Sequence, residues 1–277
     1  MVRFKRKWYV KLMMAVLIMV ALVWTLVPIY IVVSNAFRAT LDIHQMPPQL
    51  IFKPIFIHFQ RIFEFDNFGR FFRNSLVIST TTTFLSIMMG SLAAYGVKLC
   101  RSSWGRRLSN TLLLGRMVPA ITILIPLFIM MNRAGLTGTR AAVILAHTSL
   151  TLPFVTWLMT GFIEGIPDEL LEAANAEGCS RLMAFFRIVF PLLRPAVASA
   201  AILVMQTSWN ELIFSLQLTN IRTFPLTVGV ARYVGAVSVD WGRSSAAATI
   251  TMVPIIIFGF LMQKYLISGM TAGAVKG

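Results

Sequence analysis

Two charged residues stand inside runs that are otherwise apolar: Arg116 within 109–131, and Glu211 within 196–221. A buried guanidinium can hold an anionic group, and a carboxylate can hold a proton, a cation or a hydroxyl. Other groups with chemical potential are scattered. His44, His58 and His147 are far apart, and neither Cys100 nor Cys179 belongs to a metal-type spacing. A zinc or histidine-based site therefore has little support, and the sequence assigns no catalytic residue and no metal ligand. An enzyme would need a convergent acid, base or metal set, which is not legible here.

These charges must be held by elements that the composition identifies. Hydrophobic residues make up 57% of the 277 and charged ones only 13%, with a mean hydropathy of +0.76. Crossing a hydrocarbon core of roughly 30 Å takes about 20 apolar residues in a helix. Leu12–Val33, Asn74–Val97, Ala141–Ile163 and Ser244–Gln263 reach that length without a charge, and the runs holding Arg116 and Glu211 complete a set of six. The expectation is an all-α integral membrane protein with six spans, because each backbone polar group must be paired within its own segment.

The net charge of +15 is a question of side rather than of nucleic acid binding. Arg3, Lys5, Arg6, Lys7 and Lys11 precede the first run, which is longer than a signal-peptide core and has no A-x-A site after it. It is read as an uncleaved span. Putting the N-terminus in the cytoplasm places more Lys and Arg inside than outside, which predicts both termini cytoplasmic. Both cysteines then face the cytoplasm, where thiols stay reduced.

Residues 1–70 form a first block: a basic stub, the first span and an aromatic-rich outer loop, read as an interfacial amphipathic segment or a docking surface. Residues 71–277 form a five-span core. In its first span the hydroxyls of Ser79–Thr83 are expected to bond within their own helix or to a neighbour. Pro119 and Pro126 predict a kinked or opened third span, where Arg116 lies near enough to the cytoplasmic end to snorkel.

Between the fourth and fifth spans the chain turns polar. Pro167, Asp168 and Glu169 suit a helix start, Gly178 suits a left-handed helix end, and Ser180 suits the cap of a second helix. Leu182, Phe185, Phe186 and Val189 then form one apolar stripe that Pro191 stops. The residues alone leave two readings, a surface loop covering helix ends or a docking element whose alanines admit another backbone.

Glu172-Ala173-Ala174, Gly178, Ile188 and Pro191 resemble the EAA motif of ABC importer permeases, with Phe190 where leucine is usual. Trp209-Asn210-Glu211 and the ending TAGAVKG are similar to the maltose-type carbohydrate-uptake permeases, in particular the six-span partner subunit with that tail. The resemblance implies a type I ABC importer permease fold in a bacterial inner membrane. It implies a heterodimer with a second permease subunit, two cytoplasmic ATPase subunits that bind the ATP and magnesium, and an extracytoplasmic solute-binding protein. Residues 167–191 would be the coupling helix, and the tail 268–277, with Thr271, Gly273 and Lys276, a second ATPase contact.

The resemblance also implies alternating access driven from outside this chain, which has no G-x-x-x-x-G-K-[ST] phosphate loop and no cofactor of its own. Arg116, Asn210 and Glu211 are candidates for the translocation path, although in that family the sugar is bound mostly by the other permease subunit. Arg222, Arg232 and Arg243 near the last outer loop raise an anionic sugar as substrate, or else a solvated face. The competing reading is a secondary transporter coupled to an ion gradient, for which Glu211 is the one clear intramembrane carboxylate.

Overall fold

The computed structural model describes residues 8–45, 47, 51–100, 103–235 and 238–274, and for 103, 104, 106 and 262–274 it describes the backbone alone. The helices are α1 (Trp8–Ala36), α2 (Thr40–Ile43), α3 (Ile57–Glu64), α4 (Phe68–Leu99), α5 (Ser103–Leu114), α6 (Ala120–Arg133) and α7 (Arg140–Ile163). They continue as α8 (Asp168–Ala176), α9 (Arg181–Ala184), α10 (Phe190–Leu192), α11 (Arg194–Asn210), α12 (Ile213–Leu218), α13 (Leu226–Ala231) and α14 (Trp241–Ala274). Among the described residues the only extended pairing is an isolated bridge between Val234 and Val239.

Four helices are long and apolar enough to cross a membrane uninterrupted: Trp8–Ala36, Phe68–Leu99, Arg140–Ile163 and Trp241–Leu261. Two further candidates are bent pairs, Arg107–Met117 with Ala120–Arg133 at 99° and Arg181–Leu192 with Arg194–Asn210 at 79°. The total is six if each pair counts as one span.

The third span differs from expectation in how far it opens. Proline disfavours the helical conformation in the residue before it. Val118 is accordingly extended (ψ 127°), a 3-10 turn closes Gly115–Met117, and α6 starts afresh after Pro119. Pro126 stays inside α6. The fifth span is also interrupted, since α11 ends at Asn210 and Glu211 is extended before α12 begins.

The chain divides into two compact units, residues 1–68 with 230–252 and residues 69–229 with 253–277. In the first, α1 is exposed on every side over its most apolar window, as a span surrounded by lipid should be. Its outer loop is ordered by packing: Phe37 meets Phe56 edge-on and Phe59 at a tilt, with centroids 5.4 and 5.0 Å away, and His58 and Ile62 of α3 are buried.

The second unit holds two apolar clusters. Tyr95 and Ile87 of α4, Val155, Met159 and Ile163 of α7, and Phe185, Val189 and Leu193 form one at the coupling-segment end. Ile78, Leu124, Val143, Phe214 and Leu218 form the other. Ser79, Thr80 and Thr83 donate to carbonyls of their own helix, and Thr83 also reaches Met205 Sδ of α11 at 3.9 Å, so both expected outcomes occur.

α4 and α7 cross closely at Gly90, where a Cβ would come within 2.6 Å of Val155 Cγ1. Small residues allow such approaches between membrane helices, where packing rather than water drives association. Gly90→Ala should therefore lower the unfolding temperature of the purified protein, at the cost of about 1–3 kcal/mol usual for overpacking. Adding Val155→Ala should restore most of it. A single variant as stable as the parent would refute the tight crossing.

Candidate functional site

The polar segment after α7 is built as two short helices. Pro167 caps α8, with Asp168 and Glu169 in its first turn. At the other end Gly178 has φ +80°, its N–H donates to Asn175 O, and the N–H of Cys179 donates to Ala174 O across 2.9 Å. This paired closure consumes two carbonyls that the helix end leaves orphaned, and it needs a left-handed residue that glycine supplies without strain. Ser180 Oγ then accepts from Met183 N at 3.3 Å and caps α9.

The second helix departs from the expected stripe. Pro191 does not stop it: the run continues to Leu192, but through a π turn at Phe185–Val189, in which Phe190 N donates to Phe185 O. Proline cannot donate to the carbonyl four residues back, and the extra residue absorbs the mismatch. Phe185 and Val189 are buried as predicted, whereas Leu182 and Phe186 remain exposed.

The motif residues separate into two sets. Glu172, Ala173 and Gly178 lie on the exposed side, Ile188 and Pro191 are half-buried, and Ala174 packs inward with Leu171. Only one of the two alanines is thus available to another chain. Thr271 and Gly273 lie in α14, where the backbone alone is described, and Lys276 is outside the described residues.

A residue that the sequence reading passed over ties this segment to the spans. Lys98, at the end of α4, forms an ion pair with Asp168 Oδ1 at 2.9 Å and donates to the carbonyls of Ile163 and Ile166. One ammonium so uses its three donors on the end of α7, the connection and the first turn of α8. Lys98 is 12% exposed and Asp168 57%.

Glu211 sits at the break in the fifth span and does not pair with Arg116. Its Oε1 accepts from Phe214 N at 2.9 Å, and its Oε2 accepts from Ser215 N at 3.0 Å, from Ser215 Oγ at 3.1 Å and from His147 Nε2 at 2.9 Å. The carboxylate serves as the N-terminal cap of α12, satisfying two backbone donors that a membrane interior would not hydrate. His147 Nδ1 reaches Ser208 Oγ at 2.8 Å, and Thr227 Oγ1 donates to Glu211 O. His147 therefore belongs to a buried network that its isolation in sequence did not suggest. Asn210 ends α11 exposed.

Arg116 is exposed in the 3-10 turn, with its guanidinium 5.2 Å from the centroid of the Phe154 ring. It contributes to a cavity of about 260 Å³ with Thr151, Phe154, Leu203, Val204 and Thr207. Of the three translocation-path candidates Arg116 borders this cavity, whereas the oxygens of Glu211 are engaged by α12 and His147.

The outer-loop arginines also differ from one another. Arg243 is engaged by Asp240 (2.7 Å) and Asp66 (3.3 Å), and Tyr233 donates its hydroxyl to Asp66. Burial alone would raise the Asp240 carboxyl, but the backbone N–H and guanidinium of Arg243 outweigh it and hold the group below the usual range. Burial, with the charge of Asp66 and its hydrogen bond, pushes the Tyr233 hydroxyl well above its ordinary value.

Residues 86–272 match the family described as binding-protein-dependent transport system inner membrane component. The melibiose/raffinose/stachyose import permease protein MelC of Bacillus subtilis is 33% identical over 258 residues, 91% of each chain. The sulfoquinovosyl glycerol transport system permease protein SmoH of Agrobacterium fabrum is 32% identical over 81% of this chain and 79% of its own. A crystal structure of a bacterial ABC transporter involved in the import of the acidic polysaccharide alginate superposes with a TM-score of 0.79 at 20% identity, over 96% of this chain and 98% of that one. With six candidate spans and the helix–glycine–helix segment between the fourth and fifth, this chain belongs to the family of inner membrane components of binding-protein-dependent transport systems.

Proposed function

We propose that the chain is the permease subunit of an ATP-driven, binding-protein-dependent carbohydrate importer, working by alternating access. The observation that carries this reading is the segment 167–191. It is a short helix closed by Gly178 in the left-handed region, with Glu172 and Ala173 on its exposed side, anchored through Asp168 to the end of a span. Such a helix suits a cleft in a cytoplasmic ATPase. Its clamp to α4 and α7 gives the partner's movement a rigid route into the membrane. The energy source is a partner chain that binds ATP and magnesium, and this subunit performs no hydrolysis of its own.

In this reading the complex holds a second, non-identical permease subunit, two ATPases and an extracytoplasmic solute-binding protein. Both termini are cytoplasmic, and the C-terminal tail 268–277, with Thr271, Gly273 and Lys276, offers a further ATPase contact. Relatives named for melibiose, raffinose, stachyose and sulfoquinovosyl glycerol support a carbohydrate or derivative as cargo. Within that class we infer an anionic sugar. Among the outer-loop arginines Arg243 is neutralised by its own acids, so the support falls mainly on the charge inside the third span. An ion-gradient mechanism is disfavoured, because the carboxylate it would need is engaged as a helix cap.

Two variants test the coupling. Gly178→Val forces a β-branched residue to positive φ and should abolish sugar uptake in reconstituted vesicles while insertion and subunit assembly persist. Gly178→Asn, which tolerates that conformation, should retain uptake. Normal uptake by the valine variant would count decisively against a coupling role. Lys98→Met should leave ATP hydrolysis running but lower the sugar moved per ATP by about tenfold or more, as expected when a partly buried, multiply bonded charge is removed. An unchanged ratio would reduce Lys98 to a stabilising contact.

A further inference from the structure

Depth is what makes Arg116 unusual. Its neighbours Thr151 and Phe154 lie near the middle of α7, whose 24 residues run from Arg140 to Ile163. At 1.5 Å per residue, Phe154 is roughly 13 Å from the end of that helix next to the coupling segment. The guanidinium is therefore near mid-membrane, not at the cytoplasmic edge that snorkelling would require. The break at Val118-Pro119 is what leaves it there, since an unbroken α5–α6 would not bend by 99° beside α7.

A charge at that depth is costly and calls for a counter-charge. Among the described residues Arg116 has no carboxylate partner: its contact is the Phe154 ring, and the intramembrane acid Glu211 belongs to His147 and α12. What Arg116 does border is open space. The cavity has an aromatic ring on one side and two threonine oxygens among its lining. Thr207 Oγ1 donates its proton to Leu203 O at 2.7 Å, and Thr151 Oγ1 to His147 O at 2.8 Å. The Thr151 oxygen is also bonded to Ser86 Oγ at 2.7 Å, so it is the exposed Thr207 oxygen whose lone pairs are disposed to accept from a ligand hydroxyl. A cation, an aromatic ring and a hydroxyl acceptor around about 260 Å³ match the chemistry of a sugar ring bearing a carboxylate or sulfonate.

We propose that this cavity is a transit subsite for the acidic group of the transported sugar, with Arg116 as the residue that reads the charge. It deepens, and rests on, the carbohydrate-importer reading. It also gives this subunit a share in specificity that its resemblance to maltose-type permeases would leave to the other permease chain. The ring takes its place beside Phe154, a hydroxyl donates to Thr207, and its anionic group pairs with the guanidinium.

The test uses the complete transporter, both permease subunits with the ATPase, reconstituted in nanodiscs. Radiolabelled glucuronate and glucose are titrated as probes. The wild-type complex should bind glucuronate about tenfold or more tighter than glucose, a factor corresponding to roughly 1.4 kcal/mol. Arg116→Gln should erase the preference, and Arg116→Lys, which keeps the charge without the bidentate fork, should retain a reduced one. Equal binding of the two probes by wild type, or a preference that survives Arg116→Gln, overturns the subsite. So does Arg116→Gln breaking the permease pair apart in a way that a compensating charge change on the second subunit repairs, because Arg116 would then be a subunit contact. If Arg116→Gln does not assemble for any other reason, the lysine variant decides: an unaltered preference sinks the proposal. Uptake into vesicles with the binding protein separates the two levels. ATP-dependent sugar accumulation without charge preference removes only the subsite, whereas no accumulation of the binding protein's own sugar removes the importer reading with it.

Discussion

A helix interrupted inside a membrane exposes backbone donors and acceptors that no water will satisfy, and much of this chain's polar architecture answers that constraint. At the fifth span the answer is Glu211, whose two oxygens take the N–H groups of Phe214 and Ser215 while His147 supplies the balancing proton donor. At the end of α7 the answer is Lys98, which gathers the carbonyls of Ile163 and Ile166. The break in the fifth span and the end of α7 are thus each closed by a charged side chain, Glu211 beside the break and Lys98 from α4.

The third interruption is different in kind. Val118 and Pro119 open α5 from α6 with a backbone conformation that proline imposes, and the nearby charge is a cation rather than a cap. Arg116 meets an aromatic ring and a cavity, not a helix end. Two intramembrane charges that look alike in a sequence therefore divide into one that holds the fold together and one that faces open space.

How much of this was legible depends on whether the signal was local. The first-turn acids Asp168 and Glu169 and the capping residues Gly178 and Ser180 act on backbone groups a few positions away, so their types and spacing located α8 and α9 closely. The long apolar runs identified the spans for the same reason, because lipid demands length and composition rather than a particular neighbour. What escaped was pairing across distance. His147 and Glu211 are 64 residues apart and Lys98 and Asp168 are 70, and no periodicity links such partners. The stripe through Leu182–Val189 failed in part because a π turn before Pro191 changes the register within it. The opening at Pro119 was visible as a kink, but α5 packs against α7 while α6 packs against α12, a separation the proline does not encode.

The split within the motif's alanine pair has a genetic consequence. Ala174 is packed within its own chain while Ala173 faces away from it. Substitutions at these adjacent codons would report on different events, one on the integrity of the subunit and the other on its fit to a neighbour. Suppressors of a lesion at 173 would be sought in another gene, and suppressors of a lesion at 174 in this one. A pair of identical residues in a shared motif can in this way carry two separate selective pressures.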